Sequence, residues 1–534
     1  MTAIQPPTIN QRDKFMGKSL LTLLGVLLLL GTGVPSAMAF AKESLTYQKC
    51  VSCHPVKDGK IARVEEMRAS PDEWGVIIDR MARLHGMDLK ADERARLLQE
   101  ICATQILSPE ELDQVSYLNL NNNPQTVEVP RDEAEGKLFA TCVRCHSAGK
   151  IKSYRMTDSA WAKIRDFHYY MDPAIDGQMR EMKWYAESAT VLTELAKNYP
   201  YSKAWVAPQA NLAGSWTILG HEPGKGHYRG QASIKAGPGG SYTLAGTLNF
   251  DDGTSESFQG EAALYGGHAL RTQTKHNNVV TLGAFSFIKG VIHGQHHFPA
   301  PHFRTSTSTW YPADGAAQLL KVTPAYLLAG ETTTLTLEGV KLPEVTAKDL
   351  KFAGGTVEVL GAKRVGETIV AEVVYRGSTA ARATLAVKTL PAVPVTLAKQ
   401  IDILKITPAL GRARVLGGVH YPAEGVQFEA FAFSSGVDAA DAADDLLLGA
   451  VPAKFKLSEE VTREGDDDLA WVGGIGANGS YIPIGNYGQV LTREYKTEAT
   501  GLVKVEATYR RGERDYTAAA MLAVVPPDYV QRIK

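Results

Sequence analysis

Cysteine is scarce in this chain: five among 534 residues, at positions 50, 53, 102, 142 and 145. That is too few for a disulfide-stapled framework. Four of the five fall in two identical spacings, which leaves Cys102 alone, read as a small buried hydrophobe of a helix. Net charge is missing as well. Lys and Arg number 57 against 58 Asp and Glu, a formal charge of −1, so no global basic field draws in nucleic acid. There is no G-x-S-x-G elbow, Walker loop or Rossmann fingerprint. Long apolar runs are absent apart from Leu20–Leu30, which is too short to span a bilayer comfortably. Preceded by Arg12, Lys14 and Lys18 and followed by Ala37-Met38-Ala39, it reads as a signal peptide cleaved after Ala39. Phe40 then opens a mature chain expected in the periplasm, without a membrane segment.

The two cysteine pairs carry the chemistry. Cys50-Val51-Ser52-Cys53-His54 and Cys142-Val143-Arg144-Cys145-His146 are both C-x-x-C-H, the attachment signature of a c-type haem. Two thiols on one helical turn can add to the two vinyl groups on one porphyrin edge, and the next histidine then sits under the iron. Zinc would need further Cys or His pairs at ligand spacing. Two covalently bound haems are therefore expected, with His54 and His146 as proximal ligands.

An internal repeat points to the sixth ligands. Arg68-Ala69-Ser70-Pro71-Asp72-Glu73-Trp74 recurs as Arg155-Met156-Thr157-Asp158-Ser159-Ala160-Trp161, each copy opening a helix behind a Ser or Asp near its cap. Seven residues beyond the tryptophans stand Met81 and His168, a thioether and an imidazole, both good iron ligands. The expected pairs are His54/Met81 and His146/His168. His85 and Met87 rival the first; Met171, Met179 and Met182 rival the second. Methionine ligation raises a haem potential relative to bis-histidine ligation, so electrons should enter at the second haem and leave from the first.

Length suggests roughly three to five domains. Residues 40–207 read as an all-α di-haem domain, with Glu93–Ile101, Glu110–Leu118 and Ala189–Tyr199 carrying apolar residues at helical spacing. Beyond Pro208 the pattern turns to short alternating segments and turn signals, which predicts an antiparallel β-barrel over 208–312. Four histidines crowd its end, His293, His296, His297 and His302, with His221 and His227 upstream. No carboxylate is interleaved at ligand spacing, so they read as interface or loop residues. Leu320-Lys321-Val322-Thr323-Pro324 recurs 84 residues later as Leu404-Lys405-Ile406-Thr407-Pro408, which predicts two immunoglobulin-like sandwiches over 313–398 and 399–534. The acidic clusters Asp438–Asp445 and Glu464–Asp468 read as solvated loops.

A di-haem domain followed by three all-β domains, with both C-x-x-C-H motifs, the Trp-centred repeat and the Leu212-Ala213-Gly214-Ser215-Trp216 opening of the barrel, resembles the alpha subunit of quinohaemoprotein amine dehydrogenase. The resemblance covers essentially the whole mature chain. It implies a β-propeller beta subunit and a small gamma subunit bearing cysteine tryptophylquinone, which oxidises primary amines to aldehydes and ammonia. It also implies that electrons pass through the alpha haems to a blue-copper protein or cytochrome c. With Cys102 as its one spare cysteine, this chain does not supply the quinone, so no catalytic residue is expected on it. Two other readings start from the same motifs. A self-contained di-haem peroxidase would need an open sixth site, whereas both units hold candidate ligands. A cytochrome tethered to a β binding module would use its β domains to grip a polymer or another protein.

Overall fold

The computed structural model describes residues 40–115, 128–143, 146–201, 210–302, 304–418, 422–436, 443–484 and 499–527. The expected signal peptide lies outside these residues. So do Cys145 and the expected boundary at 208.

Nine helices are described in the first part of the chain. They are α1 (Leu45–Cys50), α2 (Pro71–His85), α3 (Ala91–Cys102), α4 (Pro109–Asp113), α5 (Glu133–Cys142), α6 (Ala148–Lys152), α7 (Asp158–Met171), α8 (Ile175–Gln178) and α9 (Trp184–Asn198). The repeat is visible in how α2 and α7 begin. Ser70 caps α2 by accepting from the Glu73 amide, and Thr157 caps α7 by accepting from the Ala160 amide. Each helix then carries its tryptophan as its fourth residue, buried in one common core. The Gly86 backbone stops α2 with φ +71°, a left-handed cap that glycine adopts without strain.

The region is not all-α, and this corrects the expected fold class. Val56–Lys57 and Lys60–Ile61 form a small hairpin. More importantly, Met67–Ala69 pairs antiparallel with Tyr154–Met156. Arg68 faces Arg155 at the centre of this ribbon, so the two repeat copies meet about a local two-fold axis. The flanking backbone bonds obey the same symmetry: Ser70 donates to Ser153, and Thr157 donates to Glu66. Each of these strands is three residues long and finds its partner 87 positions away, too little for an alternation pattern to show. Among the described residues strand outweighs helix, 45% to 22%.

The ribbon buries two guanidinium groups, Arg68 and Arg155, each with its side chain 3–4% exposed. One carboxylate serves both. Glu111, on α4, accepts from Arg68 at 2.7 and 3.1 Å and from Arg155 at 3.1 Å. It also accepts from the Ser108 amide at 2.8 Å, closing a capping box. Arg68 further donates to the Ile106 carbonyl, and Arg155 to those of Lys152 and Tyr154.

Eight strands from Gly214–Glu222 to Thr305–Pro312 close into an antiparallel barrel, the last pairing with the first. Trp216, Ile218, Tyr228, Phe258, Phe285 and Trp310 fill its interior. Gly230, Gly246 and Gly260 sit where a Cβ would strike the neighbouring strand's carbonyl oxygen, so the strands can bend sharply there. The barrel docks on the helical region through the hairpin at 265–269. Ala269 is buried in the helical core, and Gly266 lies against Ile106 and the Cys102 carbonyl. Arg271 grips Asp72 at 2.7–3.0 Å.

Two sandwiches follow. Four strands face four in the first and three face four in the second, with a two-stranded ribbon beside it. The copied pentapeptides occupy equivalent places: each ends a first strand, Gln318–Thr323 or Ile403–Thr407. The chain then crosses to the opposite sheet, and Tyr326–Leu328 or Leu410–Arg414 pairs parallel with a closing strand. No described helix is long and apolar enough to cross a membrane.

Candidate haem-binding sites

Each C-x-x-C-H motif begins at the end of a helix. Cys50 is the last residue of α1, capped by Ser44, and Cys142 is the last of α5, capped by Asp132. The chain then tightens: Cys53 and His54 both donate backbone hydrogen bonds to the Cys50 carbonyl. This places Cys50, Cys53 and His54 within one turn, as attachment along one porphyrin edge requires. Burial pushes the Cys50 thiol up to about 11, with Cys53 and Glu100 adding to the effect.

At the second site the geometry is explicit. The His146 and His168 rings stand with centroids 6.3 Å apart, inclined at 66°. The His168 Nδ1 lies 2.8 Å from the Ile164 carbonyl. A carbonyl can only accept, so Nδ1 carries the proton and Nε2 keeps its lone pair. His146 Nδ1 contacts the Ser147 carbonyl at 3.3 Å. Burial drives the His146 imidazole down to about 4, and His168 contributes through repulsion. Trp184 packs on the His168 ring at 6.2 Å and donates from Nε1 to the Thr141 carbonyl at 2.8 Å. The rival methionines are placed differently. Met171 is exposed, Met179 is buried with Ile175 and Trp184, and Met182 packs against that same cluster.

The first site is less closed. Burial lowers the His54 imidazole, Arg63 and His85 lower it further, and a hydrogen bond to the Ala62 backbone opposes them. Met81 and His85 lie four residues apart on α2, hence on one face. Met81 is half-buried and His85 exposed, while Met87 packs on the helical core beyond the Gly86 cap. Met81 and His168 occupy the same place in the repeat, eleventh in α2 and in α7.

The remaining histidines form no three-ligand metal group among the described residues, although the His221 and His227 rings meet at 4.6 Å and His293 lines the same cavity. His293 pairs with Asp113 of α4 at 2.8 Å, and His221 pairs with Glu429 of the last domain at 2.5 Å. His296 turns into the barrel against His276 and Phe285, while His297 lies on the opposite face of the same strand, near Arg271 and Asp72. Among the described residues, one group of three ligand atoms falls within 4.8 Å, Asp466, Asp467 and Asp468. Cys102 is buried at the end of α3. Of the first acidic cluster, 438–442 lie outside the described residues, and Asp445 pairs with Lys405 at 2.7 Å.

Three family models match this chain. Residues 40–205 match the haem-binding model of the quinohemoprotein amine dehydrogenase alpha subunit, 209–302 match its domain II and 404–533 its domain IV. The chain belongs to the quinohemoprotein amine dehydrogenase alpha-subunit family. It is a haem-containing subunit of an oxidoreductase. No curated protein matches it. Similarity to solved structures is local. The redesigned β-barrel b11L5F_LGL is 12% identical over 19% of this chain and 90% of its own, with TM-score 0.17. The redesigned barrel mFAP1 bound to DFHBI is 13% identical over 19% and 94%, with TM-score 0.18. Mouse protocadherin-24 EC1–3 is 12% identical over 44% and 79%, with TM-score 0.15.

The residues at the second site fit the haem that the family implies. A metal–imidazole bond of about 2.0 Å, plus roughly 1 Å from nitrogen to ring centre on each side of one iron, separates two axial rings by about 6 Å. The 6.3 Å between His146 and His168 meets that requirement. A ligand histidine also needs its other nitrogen tied to an acceptor, as Ile164 ties His168. Sequence reasoning missed Glu111 and Trp184, which belong to no motif and act through partners 16 to 44 positions away.

Proposed function

We propose that this chain is the periplasmic di-haem c-type electron-relay subunit of an amine dehydrogenase. Haem attaches at Cys50/Cys53 and at Cys142/Cys145, with His54 and His146 proximal and Met81 and His168 as sixth ligands. The observation that carries the reading is the facing pair His146/His168, with His168 Nε2 left free by the bond from Nδ1 to Ile164. Bound haem supplies reversible one-electron transfer at each iron. The chain's own contribution is to hold and orient. α1 and α5 present the thiols, and α2 and α7 return the sixth ligands from a shared ribbon. Backbone carbonyls fix the imidazole tautomers, and the buried Trp74/Trp161 core limits water around both sites. A relay needs both sixth positions filled, because an open site invites peroxide or oxygen chemistry instead.

The amine-oxidising quinone, cysteine tryptophylquinone, belongs on a small gamma subunit, with a β-propeller beta subunit completing the complex. Cys102, the one cysteine outside the two motifs, is enclosed where the barrel hairpin meets α3. Electrons run from the His/His site to the His/Met site and on to a blue-copper protein or cytochrome c. The native complex tests the reading. A tagged chain should recover two smaller partners, contain two haems per chain by pyridine haemochrome, begin at Phe40 by intact mass, and show haem reduction on addition of a primary amine. A chain that purifies alone and is never reduced by amines rules it out.

A further inference from the structure

Trp184 is the first residue of α9 and is buried. It lies outside the two matched segments of the repeat, in which Trp74 and Trp161 correspond to each other. Its indole touches two parts of the second site at once. The ring packs on the His168 imidazole, 6.2 Å between centroids and tilted by 38°. Its Nε1–H donates to the Thr141 carbonyl at 2.8 Å. That carbonyl lies in the last turn of α5, and the next residue is Cys142. Behind the indole, Ile175, Met179 and Met182 form a small apolar cluster that keeps it in place.

We infer that Trp184 is the positioning residue of the second site, locking the His168 imidazole in its ligating orientation and fixing its distance from the Cys142 attachment helix. The inference rests on the reading of His168 as the sixth ligand. The bond to Ile164 selects the His168 tautomer and restrains the ring through its Nδ1 edge. The indole adds a second restraint, packing against the ring itself. Because the same indole is tethered to α5, the two ends of the site cannot drift apart independently. Half-buried His168 is followed by exposed Tyr169, Tyr170 and Met171, whereas the indole that packs on its ring is buried.

The test uses the haem-loaded full-length chain and reads coordination, not turnover. His168→Ala, Trp184→Phe and Trp184→Leu are reduced and exposed to carbon monoxide, and their oxidised forms are examined by EPR. Wild-type haems should stay low-spin and bind no carbon monoxide. His168→Ala should render half of the total haem reactive. Trp184→Leu should do so for a substantial part of that half, with a high-spin signal. Trp184→Phe, which keeps a ring but loses the tether, should remain low-spin with shifted g values and slow, partial binding. If both Trp184 variants match wild type while His168→Ala becomes reactive, the inference is overturned and the ligand reading stands. If His168→Ala itself changes nothing, the ligand reading fails. Should Trp184→Leu not yield haem protein, the Phe variant decides: wild-type g values and no binding overturn the inference.

Discussion

Replacing Glu111 by Gln should destabilise the helical region more than any other single surface-preserving change. The substitution keeps size and an acceptor oxygen, so the Ser108 cap can survive. What it removes is the one negative charge between two guanidinium groups. Arg68 and Arg155 are 3% and 4% exposed at their side chains, and neither can reach water by rotating away. Breaking one partner out of a buried ion network costs about 3–5 kcal/mol, because an uncompensated charge stays behind. Here two stay behind, close enough that Arg68 disfavours the charged form of Arg155. The upper part of that range is expected. Denaturant unfolding of the haem-loaded chain, followed by Soret absorbance for the helical region and by far-ultraviolet dichroism for the whole, measures it. Glu111→Asp should recover part of the loss, and Glu111→Gln combined with Arg155→Met should recover more by removing the orphaned charge. Acid should mimic the substitution. Burial pushes the Glu111 carboxyl up, but Arg68, the Ser108 amide and Arg155 hold it below its ordinary value overall. Its contribution is thus complete above the usual carboxylate range and is lost as pH falls through the lower folded value. A loss under about 1 kcal/mol for Glu111→Gln would refute the reasoning, since that is the scale of an exposed pair.

Further outcomes follow from the same contacts. Met81→Ala should abolish the near-infrared sulfur–iron band of the first haem, while His85→Ala should leave it; a band that survives in Met81→Ala excludes Met81, and a wild-type first haem with no such band points to His85. The barrel should weaken in acid: burial, with Arg271 nearby, lowers His297 from 6.5 to about 4, so the unfolded chain binds the extra proton first as pH falls from 6.5. That loss amounts to roughly 3 kcal/mol by pH 4, and His297→Gln should flatten the pH dependence of the barrel's unfolding midpoint. The Arg271–Asp72 fork joins the barrel to α2 with side chains 12% and 21% exposed; a double-mutant cycle should return a coupling of about 1–2 kcal/mol, and additivity of the two changes would show that the fork contributes nothing.

Local features were legible in the sequence. The spacing Cys50-x-x-Cys53-His54 is read within one turn, and a Ser or Asp near the cap announces α2 and α7, although the residue that caps α7 is Thr157. Turn signals mark out the barrel strands, and the copied Leu-Lys-Val-Thr-Pro segments locate the first strand of each sandwich. What escaped was non-local. The ribbon of Met67–Ala69 with Tyr154–Met156 is too short to show a period, and its strength comes from side chains brought in by α4. Glu111 looked like any glutamate in the first turn of a helix, and Trp184 like any core aromatic. The histidine-rich stretch was split for a related reason: on one strand, neighbours such as His296 and His297 point to opposite faces.

The ribbon sets a limit on how alike the two halves can be. A two-fold axis relates Arg68 to Arg155, yet a single carboxylate cannot lie equally against both. Glu111 makes a fork with one arginine and a single bond with the other. The asymmetry is thus built into the joint where the halves meet, before any difference in their ligands. A duplicated unit joined in this way has already lost interchangeability, and each copy is free to specialise only because the other is fixed at its back.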